Sequence, residues 1–460
     1  MFEKFLSGNY KNLLNSIESG ENISVFGLNL GEKLALTMDS AFLFYVVDSI
    51  DNINPVLDKL SALGRSCEVL TDPISPLTSE FACVTKTIEI LNKIKNNQID
   101  TLIITPEVMT GFFPKLEKIT SIELKKSQDL NLSEFQKQLI QMNYKRVDLV
   151  SEPCEFSVRG DIIDIFPIGF KPTRISLDYD TIESIKIYNP VTMLTTTEID
   201  SVNINTNAFV ISDADKLGEI YDDLKLKYDN TYEDLQNNPR DFRHIAISKE
   251  NYCHVFELKS GLIVFDGTKE IYSKLENSVK DYNESIKNLK YPLNVLLGLT
   301  KLDIKDLLKY GDSTLLAFQS ISQANRLFNP QRVYSIRTLP SMNYFNFKDG
   351  LVLDVKNYIK SNFTVILCVG SEENSYKFKE LFQKENINFE ANKSMSLCLK
   401  GLVNILEKNY PLDIILPEEK LAIISTTSLI GVKKKVENVK VDFFDGELPT
   451  DVDFFVHNFH

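Results

Sequence analysis

Apolar residues along this chain fall into two textures. In the first, short continuous apolar runs alternate with stretches where apolar residues recur every three or four positions. Ile23 to Gly27 is such a run, and a glycine-containing loop leads from it into a helical stretch, Gly31 to Ala41. Phe42 to Val47 is a second buried strand. Val84, Ile88, Leu91 and Ile94 then recur at helical spacing ahead of the strand Asp100 to Pro106. Alternating β and α elements of this length predict a parallel sheet with helices on its faces. The second texture begins after about Lys118. A helical run, Leu132 to Lys145, is followed by strands with no helices between them. In Glu155 to Pro167, Phe156 and Val158 share one face, and Glu155, Ser157 and Arg159 the other. In Thr173 to Asp180, Ile175, Leu177 and Tyr179 alternate with Arg174, Ser176 and Asp178. This is a small β-rich unit with one dry face and one face carrying arginines.

From about residue 202 the α/β texture returns, with a buried strand at Gly261 to Gly267 and a long polar helix through Lys274 to Leu289. Beyond about residue 336 comes a further unit: helix Leu351 to Lys360, strand Phe363 to Val369, helix Ser375 to Glu385, strand Leu421 to Thr427. The changes of texture divide the chain into residues 1–118, 119–201, 202–335 and 336–440, with a tail at 441–460. At about 100–200 residues per domain, 460 residues fit roughly three domains.

Composition narrows the function. Fifty-one Lys and Arg against 64 Asp and Glu give a formal charge of −13. So acidic a chain gains little from counterion release, which argues against tight binding to free DNA on its own. The amino-terminal residues lack a continuous apolar segment of the secretory type, and no run of some 18 apolar residues exists. Six cysteines are scattered without a CxxC pair, the usage of reduced and mostly buried thiols. The expectation is a soluble cytoplasmic protein with no membrane partner.

Gly27, Gly31 and Lys33 sit after a strand and before a helix, where a phosphate loop would be. A working loop needs glycine before its lysine, so that backbone amides can wrap a phosphate, and Ser or Thr after it to hold Mg²⁺. Here Glu32 and Leu34 take those places, and Glu32 would set a carboxylate beside the phosphates. The matching acidic strand end is Asp266, but Gly267 follows it where a second carboxylate is needed to polarise water. The arrangement reads as a decayed nucleotide-binding fold.

Asn143 to Val147, Val150 and Glu155 to Pro167 together form a long patterned segment, and Arg174-Ile175 and Ile182 to Ile185 continue it. It resembles the module shared by the excision-repair protein UvrB and the transcription-repair coupling factor family. The coupling factors fit better, because UvrB keeps an intact phosphate loop and the coupling factors have a degenerate one. Asp72 to Ile94 resembles the same family, and Lys420 to Gly431 with Phe443 to His460 resembles its junction into the RNA-polymerase-interacting domain, which residues 441–460 would begin.

The resemblance implies a degenerate RecA/helicase-like α/β domain interrupted by a β-rich UvrB-like domain at 119–201 and followed by another α/β domain. It implies that the UvrB-like domain docks on UvrA. Arg159 and Arg174 match the family's UvrA-contacting arginines, and strand parity independently places both on polar faces. A guanidinium is a planar fork that pairs with carboxylates and stacks on rings. Where the family has an aromatic four residues after Arg174, this chain has Asp178, with Tyr179 next to it. Asp178 could neutralise Arg174 within the strand. The family's ATP, RNA polymerase and DNA would be engaged by motor and polymerase-binding regions outside this chain.

Other features stay open or bland. Lys145-Arg146 could extend the arginine face or form a cation-favouring helix end. Lys433 to Lys435 reads as a solvated loop. His457 and His460 lack further ligands for a metal, and His244, Cys253 and His254 show no ligand spacing. No catalytic constellation stands out. The expected function is an adaptor that binds UvrA and is not itself an enzyme. The rivals are a UvrB-like protein with residual nucleotide binding and a structural remnant that no longer binds UvrA.

Overall fold

The computed structural model describes residues 3–76, 81–206, 251–287, 302–320 and 324–430. Its frame is a seven-stranded sheet drawn from two separated stretches of chain. The first supplies β1 (Ile23–Phe26), β2 (Leu43–Val47), β3 (Cys67–Leu70) and β4 (Thr101–Ile104); the second supplies β15 (Leu262–Asp266), β16 (Thr314–Gln319) and β17 (Arg332–Ser335). They lie in the order β17-β1-β16-β15-β2-β4-β3, with every pairing parallel. Alternate residues of β2 enter opposite cores: Leu43, Tyr45 and Val47 on one side, Phe44 and Val46 on the other. A strand buried on both faces has no polar side to show, which is why Phe42 to Val47 reads as an unbroken apolar run.

One face is covered by α4 (Phe81–Lys95) and the helix Thr268–Lys287, through Ile88, Leu91, Ile271 and Leu275. The other meets α1 (Gly8–Glu18), α2 (Leu30–Ala35) and α3 (Ile53–Ala62), through Leu13, Leu34 and Leu60. The helical stretch expected to reach Ala41 stops at Ala35. Past that end the carbonyls of Thr37, Met38 and Ser40 accept from the buried guanidinium of Arg65.

Two short antiparallel pairings flank the inserted unit: β5 (Phe113–Pro114) with β14 (Tyr252–Cys253), and β6 (Ser121–Lys125) with β13 (Ser201–Asn205). Within it, α5 (Leu132–Gln141) lies against a six-stranded sheet ordered β12-β11-β10-β9-β8-β7. The strands are β7 (Lys145–Arg146), β8 (Glu155–Arg159), β9 (Ile162–Phe166), β10 (Thr173–Asp178), β11 (Thr181–Tyr188) and β12 (Thr195–Ile199). Asn131 caps α5 by accepting from the Glu134 amide. Phe135 and Leu139 of α5 and Phe156, Ile163, Ile175 and Ile185 of the sheet pack in one dry core. Lys145-Arg146 is extended backbone, so the helix-end reading of this pair is wrong. The helix ends at Gln141, Asn143 turns the chain at φ 63, and the Lys145 and Val147 amides bond Cys154 and Phe156 carbonyls.

The last unit is a five-stranded sheet, β19-β20-β18-β22-β21, built from β18 (Thr364–Cys368), β19 (Phe389–Asn392), β20 (Val403–Leu406), β21 (Ile414–Leu416) and β22 (Leu421–Ile424). Only β21 runs antiparallel to its neighbour. Val365, Leu367 and Ile424 face its own helices, whereas Ile366, Cys368, Ile414 and Ile423 join the core formed by α1, α2 and α3. Two sheets therefore share one apolar interior.

A candidate partner-binding face and a closed phosphate loop

On the polar face of the inserted sheet, β9 lies between β8 and β10, and Asp164 stands directly across from both Ser157 and Arg174. Asp164 is only 1% exposed, yet two arginines converge on it. Arg174 engages it in bidentate fashion, Nε to Oδ1 at 2.6 Å and Nη2 to Oδ2 at 2.9 Å. Arg159 donates from Nη2 to Oδ2 at 2.5 Å. A buried carboxylate is tolerated when charged donors saturate it, and a forked pair also fixes direction.

The two arginines are not equivalent. Arg174 is 20% exposed. It lies 5.0 Å from the centre of the Tyr188 ring and gives its remaining Nη1 to the Met193 carbonyl at 3.3 Å. Its bond to Asp164 holds the guanidinium proton more firmly than usual, and burial pushes the Tyr188 hydroxyl up. Arg159 is 52% exposed, with one edge on Asp164 and the rest facing solvent. Two guanidinium groups share one carboxylate, and Arg159 turns its free edge outward.

The other positions on this face differ from the sequence reading in instructive ways. Asp178 does not neutralise Arg174. Four residues along a strand is roughly 13 Å, whereas Asp164 sits directly opposite in the register. Asp178 is exposed at the end of β10, and Tyr179, in the turn that follows, is 90% exposed with φ 53. Glu155 has the parity of Arg159 but is buried, accepting from the Ser151 and Glu152 amides at 3.0 Å each. Sequence reasoning missed Asp164. Its signal was a lone carboxylate inside the apolar run Ile162 to Phe166, which needs a partner to be buried there.

At the other candidate site the parts of a nucleotide site are close together but engaged with protein. Lys33 Nζ meets Asp266 Oδ1 at 2.5 Å, and the Tyr45 hydroxyl donates to Asp266 Oδ2 at 2.8 Å. The pair borders a cleft of about 410 Å³ that Asp48, Asn52 and Glu270 also line. Glu32 does not face this cleft, contrary to the expectation of a carboxylate beside the phosphates. It is buried, and its Oε1 accepts the Ile415 amide of the last sheet at 2.9 Å.

Among the described residues no group of three or more His, Cys, Asp or Glu could hold a metal ion, and no helix is long and apolar enough to cross a membrane. The His254 ring meets the Gly111 carbonyl at 3.1 Å. His244, Lys433 to Lys435, His457 and His460 lie outside the described residues.

The UvrB interaction domain model matches residues 122–208, the segment that holds the whole arginine face. The transcription-repair-coupling factor of Bacillus subtilis (strain 168) is 22% identical over 478 aligned positions, covering 95% of this chain and 41% of that protein. This chain is related to the amino-terminal region of the transcription-repair-coupling factors. The Staphylococcus aureus (strain USA300) coupling factor is 22% identical over 338 positions, covering 68% of the chain and 29% of that protein. The coupling factor of S. aureus strain MRSA252 is 23% identical over the same span. The chain thus spans well under half the length of these coupling factors, and the match takes in both α/β units as well as the β-rich insertion.

Proposed function

We propose that this chain is an adaptor region of a transcription-coupled repair factor and that it binds UvrA through the polar face of the β8–β9–β10 sheet. The observation that carries the reading is Arg159. It is a half-exposed guanidinium, oriented by a buried carboxylate, inside the segment that matches the UvrB interaction domain. Such a group offers a partner a charged fork at little ordering cost, because one of its edges is already fixed. In this reading Arg159 makes the direct contact and Arg174 holds it in place together with the 189–194 loop. Asp178 leaves Arg174 untouched, so the missing aromatic at that position does not disarm the arginine pair. Tyr179 offers an exposed ring in the turn between β10 and β11 of the same sheet. The longer protein would use the complex to bring excision repair to a stalled RNA polymerase on DNA.

Titration of the chain against UvrA from the same organism tests this. Saturable binding that Arg159→Ala weakens by more than about 1 kcal/mol, the usual mark of an interface hot spot, is the expected result. Folded protein that does not bind UvrA at low salt removes the function.

A further inference from the structure

We propose that the loop and first helical turn from Gly27 to Lys33 are a docking socket for the chain's own last α/β unit, with Gly31 admitting the backbone of Asp413 just before edge strand β21 and Glu32 capping that strand. The proposal does not depend on UvrA binding.

Backbone approach is the first support. A Cβ on Gly31 would lie 1.8 Å from the carbonyl oxygen of Asp413 and 3.0 Å from its carbon. Both are main-chain atoms, which have no rotamer in which to move away. At Gly27, where φ is 82, a Cβ would stand 2.3 Å from the Ile336 carbonyl oxygen. The Ile336 amide in turn donates to the Phe26 carbonyl at 3.0 Å. Both glycines that look like remnants of a phosphate loop are therefore places where the last unit, or the segment leading into it, presses on the first.

Edge protection is the second support. Among the described strands β21 pairs only with β22, so its other side would present unpaired main-chain groups. At Ile415 both are satisfied from outside the sheet: the amide donates to Glu32 Oε1 and the carbonyl accepts from the Leu339 amide at 3.1 Å. A phosphate loop donates amides to an anion. Here the direction is reversed, and a carboxyl side chain in that loop accepts the amide of a strand. That role explains a carboxylate at a position where it would repel phosphate.

The apolar surroundings are the third support. Glu32 is 1% exposed, and Tyr10 and Leu34 on one side share a continuous core with Tyr410, Leu412 and Ile414 on the other. A carboxylate in such a place persists only with a donor aimed at it, and the donor comes from the unit being held. Among the described residues its second oxygen, Oε2, has no partner, and the Ile415 amide is the donor that reaches Glu32 from the unit being held.

Amide hydrogen exchange on the full chain, comparing Glu32→Ala, Glu32→Gln and Gly31→Ala, tests the socket. Glu32→Ala is expected to lower protection at Ile415 roughly ten- to hundred-fold, the range for losing a hydrogen bond to a charged group, with Leu339 following. Amides of β18 and β20 should stay protected. Glu32→Gln keeps an acceptor oxygen and should keep Ile415 protected, and Gly31→Ala should expose residues 412–416 as a block. Unchanged Ile415 protection in Glu32→Ala overturns the proposal. So does an equal loss across the whole chain, because a socket governs only the strand it holds. If Gly31→Ala does not fold, the Glu32 pair of variants still decides.

Discussion

The arginine face and the closed phosphate loop use the same materials to opposite ends. Each centres on a buried carboxylate, Asp164 in one and Glu32 in the other, each 1% exposed. Asp164 is saturated by two cationic side chains, one of which still reaches solvent, so the cluster directs charge outward. Glu32 accepts the Ile415 amide through one oxygen, and among the described residues its other oxygen has no partner, so it is directed at a neighbouring unit of the same chain. Beside it, Lys33 and Asp266 neutralise each other. A buried acid becomes an outward-facing site when its partners outnumber it in charge, and an internal fastening when they do not.

The largest expected effect sharpens the first half of that contrast. Asp164→Ala strips two arginines of their common partner, and breaking a buried pair costs about 3–5 kcal/mol. The exposure of Arg159 places the loss near the lower end, measurable as a shifted urea midpoint. Next comes the pH dependence of the fastening. Burial pushes the Glu32 carboxyl up to about 7, opposed in part by the Ile415 amide and reinforced by Asp413; Tyr10 and Tyr410 are the other titratable groups facing it. A folded-state value above the ordinary carboxylate value means the folded chain holds the extra proton between about pH 4.5 and 7. Stability should fall as pH rises through that window, by up to the order of 3 kcal/mol. Glu32→Gln should flatten the slope, as read from denaturation midpoints at pH 5 and pH 8. A slope that persists in the variant assigns the titration to another group.

Smaller effects separate the two arginines. Arg159→Ala is expected to cost on the order of 1 kcal/mol of stability, since its half-exposed guanidinium is screened by solvent and Arg174 still holds Asp164, while weakening UvrA binding. Arg174→Ala should lower both stability and binding, because it also releases Tyr188 and the Met193 carbonyl. Equal loss of stability in the two variants would break the distinction between contact and support. The smallest effect belongs to Lys33→Met, which removes a partly exposed ion pair worth no more than about 1 kcal/mol. Calorimetric unfolding should show a minor downward shift, and a large one would mean that the Lys33–Asp266 pair, rather than Glu32, fastens the loop region.

Much of this was readable in the sequence, because it depends on rules that act within a few residues. Continuous apolar runs set between helical spacings determined the parallel sheet. Two-residue alternation determined that Arg159 and Arg174 share the polar face of their sheet, and the motif itself showed Glu32 where a phosphate loop carries glycine. What each charged group pairs with was decided only by the tertiary structure. Asp164 meets Arg174 through the register of two strands, and Lys33 meets Asp266 across 233 residues. Glu32 meets Ile415 across 383. Periodicity records which way a side chain points relative to its own backbone, whereas an ion pair or a capped strand edge depends on distance in space, which folding sets between segments with no local pattern in common.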